Sequence, residues 1–172
     1  MSDYPEYLKS AVDTGADLRV GWRRADPVLQ ADAKAIWTRL GILPPGVDPE
    51  ERGGQIVAVA YVGEEVAAVS TAIPRDLPFV RARFAMYRCL VAPEFRLLQL
   101  SRLMSVHAYR VLGQWSLEHP EEAVKGMAFV QEASMRNQRL ERAVKRGSHG
   151  VLAGYTAKGE KLFVAWFEHA RV

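Results

Sequence analysis

One corner of the chain combines the end of a strand, a proline and the start of an amphipathic helix. The segment 91–96, Val-Ala-Pro-Glu-Phe-Arg, follows an apolar run and precedes a long helical pattern. The first turn of a helix has backbone N–H groups without intrahelical acceptors and carries the positive end of the helix dipole, so it suits a phosphate. The segment therefore indicates an anion site. A plain helix start, with Pro93 and Glu94 in its first turn, is the alternative.

Other patterns give little indication of catalysis or metal binding. Ser105 and Ser134 lie outside any nucleophile motif, so no hydrolase triad is predicted. The histidines show no metal-ligand spacing with a cysteine or an aspartate, so no metal cofactor is expected. Cys89 follows a strand pattern and suits a small buried residue better than a nucleophile.

Length, charge and composition restrict the class of protein. The 172 residues suit one domain, 1–172. A net charge of +3 is too small to indicate nucleic acid, and no apolar run is long enough to predict a membrane span. The start of the chain lacks the pattern of a signal peptide, and the single Cys89 cannot form an internal disulfide. A cytoplasmic protein without nucleic-acid or membrane partners is therefore expected.

Hydrophobic periodicity and capping residues predict an α/β fold. The parallel strands of a strand–helix–strand crossover and the antiparallel strands of hairpins together predict a mixed, mostly antiparallel sheet of six or seven strands flanked by helices. Asp26 and Pro27 indicate the start of the first helix, and Gly41 its end. The predicted helices cover 27–40, 93–118 and 134–146; the strands cover 17–23, 55–62, 66–73, 82–91, 124–131, 149–156 and 161–168; loops cover 44–54 and 74–81.

This order of elements resembles the GNAT superfamily of N-acetyltransferases over about 17–168. In that family a strand ends in an apolar-x-Pro-Glu-aromatic-Arg corner, and an Arg/Gln-x-x-Gly-x-Gly/Ala loop opens the long helix. Segment 91–96 fits the corner and Arg96 fits the start of the loop, whereas Gln99 and Ser101 replace its two small residues. Because residues in the first turn of a helix have negative φ, Gln99 is expected to suit the backbone while adding bulk near the ligand.

The resemblance implies acetyl-CoA or another acyl-CoA as co-substrate. The pantetheine arm would lie between the splayed parallel strands 82–91 and 124–131, along the backbone of Leu90 and Val91, with Asn137 nearby. A tyrosine that commonly protonates the leaving thiolate would fall at Val144, and valine cannot donate a proton. The residues that the resemblance places around the pyrophosphate are Arg96, Leu97, Leu98, Gln99, Leu100 and Ser101.

Two side chains are candidates for proton transfer. Tyr87, on the strand before the corner, could act as acid or base, with a core aromatic residue as the alternative. Glu132 follows a strand end and suits a base that deprotonates an amine, with an exposed loop carboxylate as the alternative. Three arginines flank the loop that would border the acceptor, and they leave an anionic acceptor open: Arg75, Arg81 and Arg83.

The predicted function is acyl transfer from acyl-CoA to a small-molecule or peptide amine, which attacks the thioester directly. Such a mechanism needs the amine and the thioester held close together, a base that deprotonates the amine, and polarisation of the thioester carbonyl. It needs no nucleophilic side chain. Two alternatives remain. One is a catalytically degenerate binding module of this fold, which Gln99 and Val144 favour; the other is an acyltransferase that takes its acyl group from an acidic carrier protein. A homodimer is also left open.

Overall fold

The computed structural model describes residues 15–43, 45–131, 143–145 and 149–171, with Leu97 and Lys145 described in the main chain only. The strands are β1 (Asp17–Val20), β2 (Ile56–Val62), β3 (Glu65–Leu77), β4 (Ala82–Val91), β5 (Val124–Gln131), β6 (Val144–Lys145), β7 (Gly150–Tyr155) and β8 (Lys161–Trp166). The α-helices are α1 (Pro27–Leu40), α2 (Pro49–Gly53) and α3 (Leu100–Glu118), and 3₁₀ segments cover Pro78–Val80, Pro93–Leu98 and Pro120–Glu122.

The strands form one eight-stranded sheet in which hydrogen-bonded neighbours follow the order β1-β2-β3-β4-β5-β8-β7-β6. The β4–β5 pair is parallel, and α3 lies between these two strands in the chain, as the crossover pattern predicts. The pairs β1–β2, β2–β3, β5–β8, β7–β8 and β6–β7 are antiparallel. This mixed sheet with helices agrees with the predicted α/β class.

Helix starts follow local capping chemistry. The Asp26 carboxylate accepts hydrogen bonds from the N–H groups of Val28 and Leu29 at 3.0 and 3.2 Å, and α1 ends at Gly41 with φ of 59°. The prediction of an unbroken loop over 44–54 was wrong, because α2 begins there. Asp48 caps that helix through the N–H of Glu50 at 2.9 Å. The Asp-Pro pair that starts α1 recurs at Asp48, so the signal for α2 was present in the sequence.

Two other predicted boundaries differ from the structure. Strand β3 continues to Leu77 through part of the predicted loop 74–81. The helix predicted over 134–146 lies mostly outside the described residues. Its described part, 143–145, is not helical. There, Val144 and Lys145 form β6 and pair with Val151 and Gly150 of β7. A β-branched residue such as Val144 suits this extended backbone.

The described residues form two compact units, and the first lies within Met1–Ala72 and Cys89–Val111. Strand β2 of this unit is buried on both faces, as its uninterrupted apolar sequence predicts. On one face, alanines of β2 and β3 pack against the start of α3: Ala58, Ala60, Ala67, Ala68, Leu100, Leu103 and Met104. On the other, α1 packs against larger residues: Leu29, Ala33, Ile36, Trp37, Ile56, Val59, Tyr61 and Val69.

The second unit comprises Ile73–Arg88 with Leu112–Val172. Here β5 pairs with β4 on one side and with β8 on the other. Phe84 is fully buried and meets Trp166 edge to face, with ring centroids 4.8 Å apart. The core cluster around Phe84 also contains Leu77, Ala128, Leu162 and Val164.

Candidate functional site

The anion corner predicted from the sequence lies within the first unit, at the end of β4. The N–H of Ala92 donates to the carbonyl of Ala67 at 2.9 Å, and the Ala92 side chain is fully buried. The 3₁₀ segment Pro93–Leu98 follows, and Gln99 then separates it from α3. The predicted continuous helix over 93–118 is therefore divided, and its α-helical part begins at Leu100.

Gln99 adopts the left-handed conformation, with φ of 54° and ψ of 23°. The expectation of negative φ at this residue was wrong, because Gln99 lies between two helical segments and not inside the first turn of one. Left-handed backbone favours glycine, since a Cβ costs about 1–2 kcal/mol there. The glycine that the GNAT loop carries at this position was the sequence signal for this conformation.

The side chains of the corner divide between the core and the solvent. Phe95 and Leu98 are half-buried against the first unit's clusters, and Leu100 is fully buried. Arg96, Gln99 and Ser101 are exposed. The apolar residues thus pack the turn against the core of the first unit, and the polar residues remain accessible to a ligand. Because the whole of Leu100 is buried, the exposed residue at the start of α3 is Ser101.

Hydrogen bonding within α3 begins at Arg102 and Leu103, whose N–H groups donate to the carbonyl of Gln99 at 3.0 and 3.4 Å. The N–H groups of Leu100 and Ser101 precede these bonds, so the helix itself offers them no acceptor. Of these two donors, the N–H of Ser101 belongs to an exposed residue and that of Leu100 to a buried one, and the helix dipole adds a partial positive charge. Leu100 and Ser101, two of the six residues predicted around the pyrophosphate, therefore lie in the first turn of α3.

The corner contains one acidic and one basic side chain, Glu94 and Arg96, and the carboxylate is paired with an arginine of α1. The exposed guanidinium of Arg39, in the last turn of α1, donates to the Glu94 carboxylate at 2.6 Å. The pKa of Glu94 is held below its ordinary value, chiefly by a hydrogen bond from its own N–H and then by Arg39, with a smaller contribution from Arg96. Among the described residues Arg96 has no ion-pair partner, so its charge remains available to an anion.

The structure also locates the residues predicted along the pantetheine arm. Leu90 and Val91 are half-buried and pack against the clusters of the first unit, as does the free Cys89. Their side chains are thus oriented into the core, which leaves the main chain as the part that a ligand could pair with. Asn137, predicted to lie near the arm, falls outside the described residues.

Tyr87, the first candidate for proton transfer, lies within the second unit. The parallel ladder of β4 and β5 runs from the Arg83–Val124 pair to the Tyr87–Phe129 pair, so Tyr87 is its last member on β4. It is 6% exposed, which suits the core aromatic residue that was its alternative interpretation. Glu132, the second candidate, falls outside the described residues, so its role stays a prediction.

The residues at the corner fit a pyrophosphate in chemical type and accessibility. The N–H groups of Leu100 and Ser101 follow the left-handed residue, Ser101 is exposed while Leu100 is buried, and Arg96 provides an exposed cation in the preceding segment. The Gln99 amide is also exposed and can itself donate a hydrogen bond to an oxygen. Within the described part of the chain, no cluster of His, Cys, Asp and Glu has the composition of a metal site.

The fold and the corner define an α/β protein with a mixed sheet and a helix start suited to an anion. No protein-family model matches the chain, and no curated protein matches it. Among solved structures, an acetyltransferase of the GNAT family from Streptococcus pneumoniae is similar, with a TM-score of 0.53 and 11% identity over 87% of this chain and 96% of that chain. The chain therefore has the fold of this GNAT acetyltransferase, and the predicted fold class is confirmed.

Two further solved structures resemble the chain less closely. A bacterial toxin matches with a TM-score of 0.48 and 12% identity, over 90% of each chain. An acetyltransferase from Streptococcus agalactiae 2603 matches with a TM-score of 0.42 and 10% identity, over 88% of this chain and 98% of that chain. The fold assignment is based on the first structure. Among the described helices, none is both long and apolar enough to cross a membrane.

Proposed function

We propose that this protein is an N-acyltransferase that uses acyl-CoA, with acetyl-CoA as the first donor to test. The observation that carries the proposal is the left-handed Gln99 between the 3₁₀ segment and α3. This turn gives α3 a separate start, with N–H donors at Leu100 and Ser101. A helix start with an adjacent exposed arginine is suited to a pyrophosphate. The fold, shared with a GNAT acetyltransferase, supports the same function.

The proposed mechanism assigns binding to the corner and proton transfer to other residues. Bound acyl-CoA supplies a thioester carbonyl that an amine can attack directly. The N–H groups of Leu100 and Ser101 and the side chain of Arg96 hold the pyrophosphate, which fixes the donor relative to the acceptor. Glu132 is proposed to accept the proton of the amine, and Tyr87 to protonate the departing thiolate. The proposed acceptor is a small-molecule or peptide amine. The proposed location of the reaction is the cytoplasm.

Binding is tested by measuring the melting temperature with and without acetyl-CoA. A ligand at a hundred times its dissociation constant stabilises the folded state by ~2.7 kcal/mol. For a chain of this size, each kcal/mol raises the midpoint by roughly 2–4 °C, so a rise of several degrees is expected. Absence of any rise, with acetyl-CoA and with longer acyl-CoAs, would contradict the proposal.

The location of the site is tested by reversing the charge of Arg96. Arg96→Glu should abolish the thermal shift, because it places an anion beside the pyrophosphate. Arg110→Glu is the matched control. Arg110 is also exposed, and it lies about 15 Å along the axis of α3 from Leu100, the first residue of that helix, beyond the Debye length of about 10 Å at moderate salt. An equal loss of the shift in both variants would mean that binding responds to net charge and not to this corner.

A binding module of the same fold is the second candidate, and Val144 favours it. Val144 is 52% exposed on β6, and its side chain cannot transfer a proton. The two functions are separated by incubating acetyl-CoA with a broad panel of amines and measuring the release of free thiol. A thermal shift without thiol release would support the binding module. Thiol release only with an acylated carrier protein would instead support an acyltransferase that takes its acyl group from a carrier protein and not from acyl-CoA.

A further inference from the structure

The two parallel strands of the second unit begin with the same type of turn. A 3₁₀ segment that starts with proline precedes each strand: Pro78–Val80 before β4 and Pro120–Glu122 before β5. Each segment ends at a left-handed residue, Arg81 with φ of 51° and Ala123 with φ of 54°. The N–H groups of these residues donate to the carbonyls of Pro78 and Pro120 at 3.2 and 3.1 Å, which fixes both turns.

A cavity of about 670 Å³ lies at these two turns and is lined wholly by residues of the second unit. Its volume lies within the ~300–1,000 Å³ range that is typical of small-molecule sites. Leu77, Pro78 and Val80 provide an apolar part of the wall. The strands that carry the turns pair in parallel from Arg83–Val124 onward, with a register shift between Arg83 and Phe84, so the wall adjoins the sheet.

Charged side chains make up much of the remaining wall. Its carboxylates are Asp76, Glu121 and Glu122, and Glu121 already pairs with His119 outside the wall at 3.1 Å. Within the described part of the chain, no ion pair joins a cation of the cavity to one of these carboxylates. The cations of the wall are Arg81, Arg83, Lys125 and Arg171.

Arg83 gives the strongest indication of a ligand. Its side chain is half-buried, and its Nε atom is buried without a hydrogen-bond acceptor among the described residues. A buried N–H without an acceptor is unfavourable, and buried donors in folded proteins usually have a partner. An oxygen of a ligand in the cavity would supply that partner, and the guanidinium suits a carboxylate or a phosphate in particular.

We propose that this cavity is a second ligand site, which binds a small organic molecule with one phosphate or carboxylate group and an apolar part. The cations bind the anionic group, and the apolar wall accommodates the remainder of the molecule. The carboxylates Asp76 and Glu122 disfavour ligands of high negative charge, so a single anionic group is preferred to a polyphosphate. The site shares no residue with the corner at Arg96. It includes Arg81 and Arg83, which flank the loop predicted to border an acceptor, but it is argued from the cavity and the buried Nε of Arg83, so this inference does not depend on the proposed acyl transfer.

The test is a calorimetric titration of the full chain with phenyl phosphate and, separately, with benzoate. These two probes carry the two anionic groups on the same apolar ring, and benzyl alcohol is the neutral control. Binding of at least one anion at millimolar concentration is expected, and binding that weakens with added salt, because the attraction is partly electrostatic. No binding of either anion, or equally tight binding of benzyl alcohol, overturns the proposal.

Variants identify the location of the bound anion. Arg83→Gln should raise the dissociation constant roughly tenfold, the loss expected for one hydrogen bond to a charged group. Arg171→Gln should also weaken binding. Because Arg171 is exposed and lies in a different segment from Arg83, its replacement tests the site without disturbing the packing around Arg83. Arg88→Gln is the matched control, since Arg88 is an exposed arginine of the same strand outside the cavity.

Each variant is first checked for an unchanged melting temperature without ligand. Unchanged affinity in both folded cavity variants overturns the proposal, as does an equal loss in Arg88→Gln. Arg96→Glu should retain binding of phenyl phosphate. Loss of binding in that variant would instead assign the anion to the start of α3 and overturn the cavity site. Failure of acetyl-CoA to bind, by contrast, would leave these outcomes unchanged.

Discussion

Arg39 and Glu94 join the last turn of α1 to the 3₁₀ segment that precedes α3, through a hydrogen bond of 2.6 Å between guanidinium and carboxylate. Both side chains are about half exposed, so the pair adds little to the stability of the fold. Its consequence is local, since it holds one end of the segment on which Arg96 lies. The ion pair thereby contributes to the geometry of the proposed CoA corner.

We predict that Arg39→Gln raises the pKa of the Glu94 carboxyl without restoring it to the ordinary value. The hydrogen bond from the N–H of Glu94 is the larger cause of the lowered pKa and remains in the variant, whereas the Arg39 contribution is lost. Carbon-detected NMR titration of the Glu94 carboxyl measures both values. Arg110→Gln is the control and should leave the titration unchanged. An identical pKa in wild type and Arg39→Gln would show that the ion pair does not form in solution.

Gln99→Gly should stabilise the protein by roughly 0.5–1 kcal/mol. The left-handed backbone costs a residue with a Cβ about 1–2 kcal/mol, and the greater freedom of glycine in the unfolded chain offsets part of that gain. Gln99→Val should be destabilising, since a β-branched side chain fits this conformation poorly. Urea denaturation measures both changes. Destabilisation by glycine would instead indicate a helical Gln99, as the sequence alone predicted.

His107 should make the stability of the protein depend on pH. Burial, and to a lesser extent the charge of Arg110, hold the pKa of His107 below its ordinary value of about 6.5. As the pH falls through about 6.5, the unfolded chain binds a proton more readily than the folded chain, so stability decreases until the folded pKa is reached. Below that pH this contribution stays constant.

The His107 contribution is isolated by comparing wild type with His107→Gln in urea denaturation at a series of pH values. The variant should lose less stability than wild type as the pH falls from neutral. The difference in free energy of unfolding between the two proteins should therefore change with pH. A difference that stays constant from pH 8 to 5, that is, across about 1.5 units on either side of the ordinary value, would contradict this assignment.

Gly126→Ala should destabilise the protein by about 3 kcal/mol, because the added Cβ has no space. That atom would lie 2.3 Å from the carbonyl oxygen of Ala165 and 2.7 Å from Cε1 of Phe84. Gly154→Ala is the control in the same unit, where the Cβ would be 3.7 Å from the nearest atom, on Phe79. Urea denaturation should show a change below about 1 kcal/mol for the control. Equal effects of the two substitutions would contradict the packing around Gly126.

The sequence predicted the elements whose signals are local. Asp26 and Gly41 bound α1 as their capping chemistry requires, and the ranges 82–91 and 124–131 match β4 and β5. Strand periodicity and capping depend on neighbouring residues, so they can be recognised without knowledge of the fold. The overlooked helix α2 belongs to the same category, because Asp48 and Pro49 carry the signal used for α1.

The conformation of Gln99 depended on tertiary packing. The sequence suggested a helix from Pro93 onward, and helical periodicity alone does not reveal a left-handed residue within it. Phe95, Leu98 and Leu100 bury their side chains in the first unit, and this anchoring accompanies a turn in place of a continuous helix. The glycine of the resembled loop was the one sequence signal for this conformation, and the expectation of negative φ at Gln99 did not use it.

The sequence by itself thus determined the class of fold, the order of elements and the corner at Arg96, because these follow from periodicity, caps and a contiguous motif. The tertiary structure alone decided which distant residues meet. It brought Lys125 and Arg171 to the turn of Arg81 and Arg83, although these residues belong to separate segments of the chain. It also paired Val144 with Val151 in β6 and β7. Contacts between distant segments arise from the packing of the whole sheet, and no local pattern encodes them.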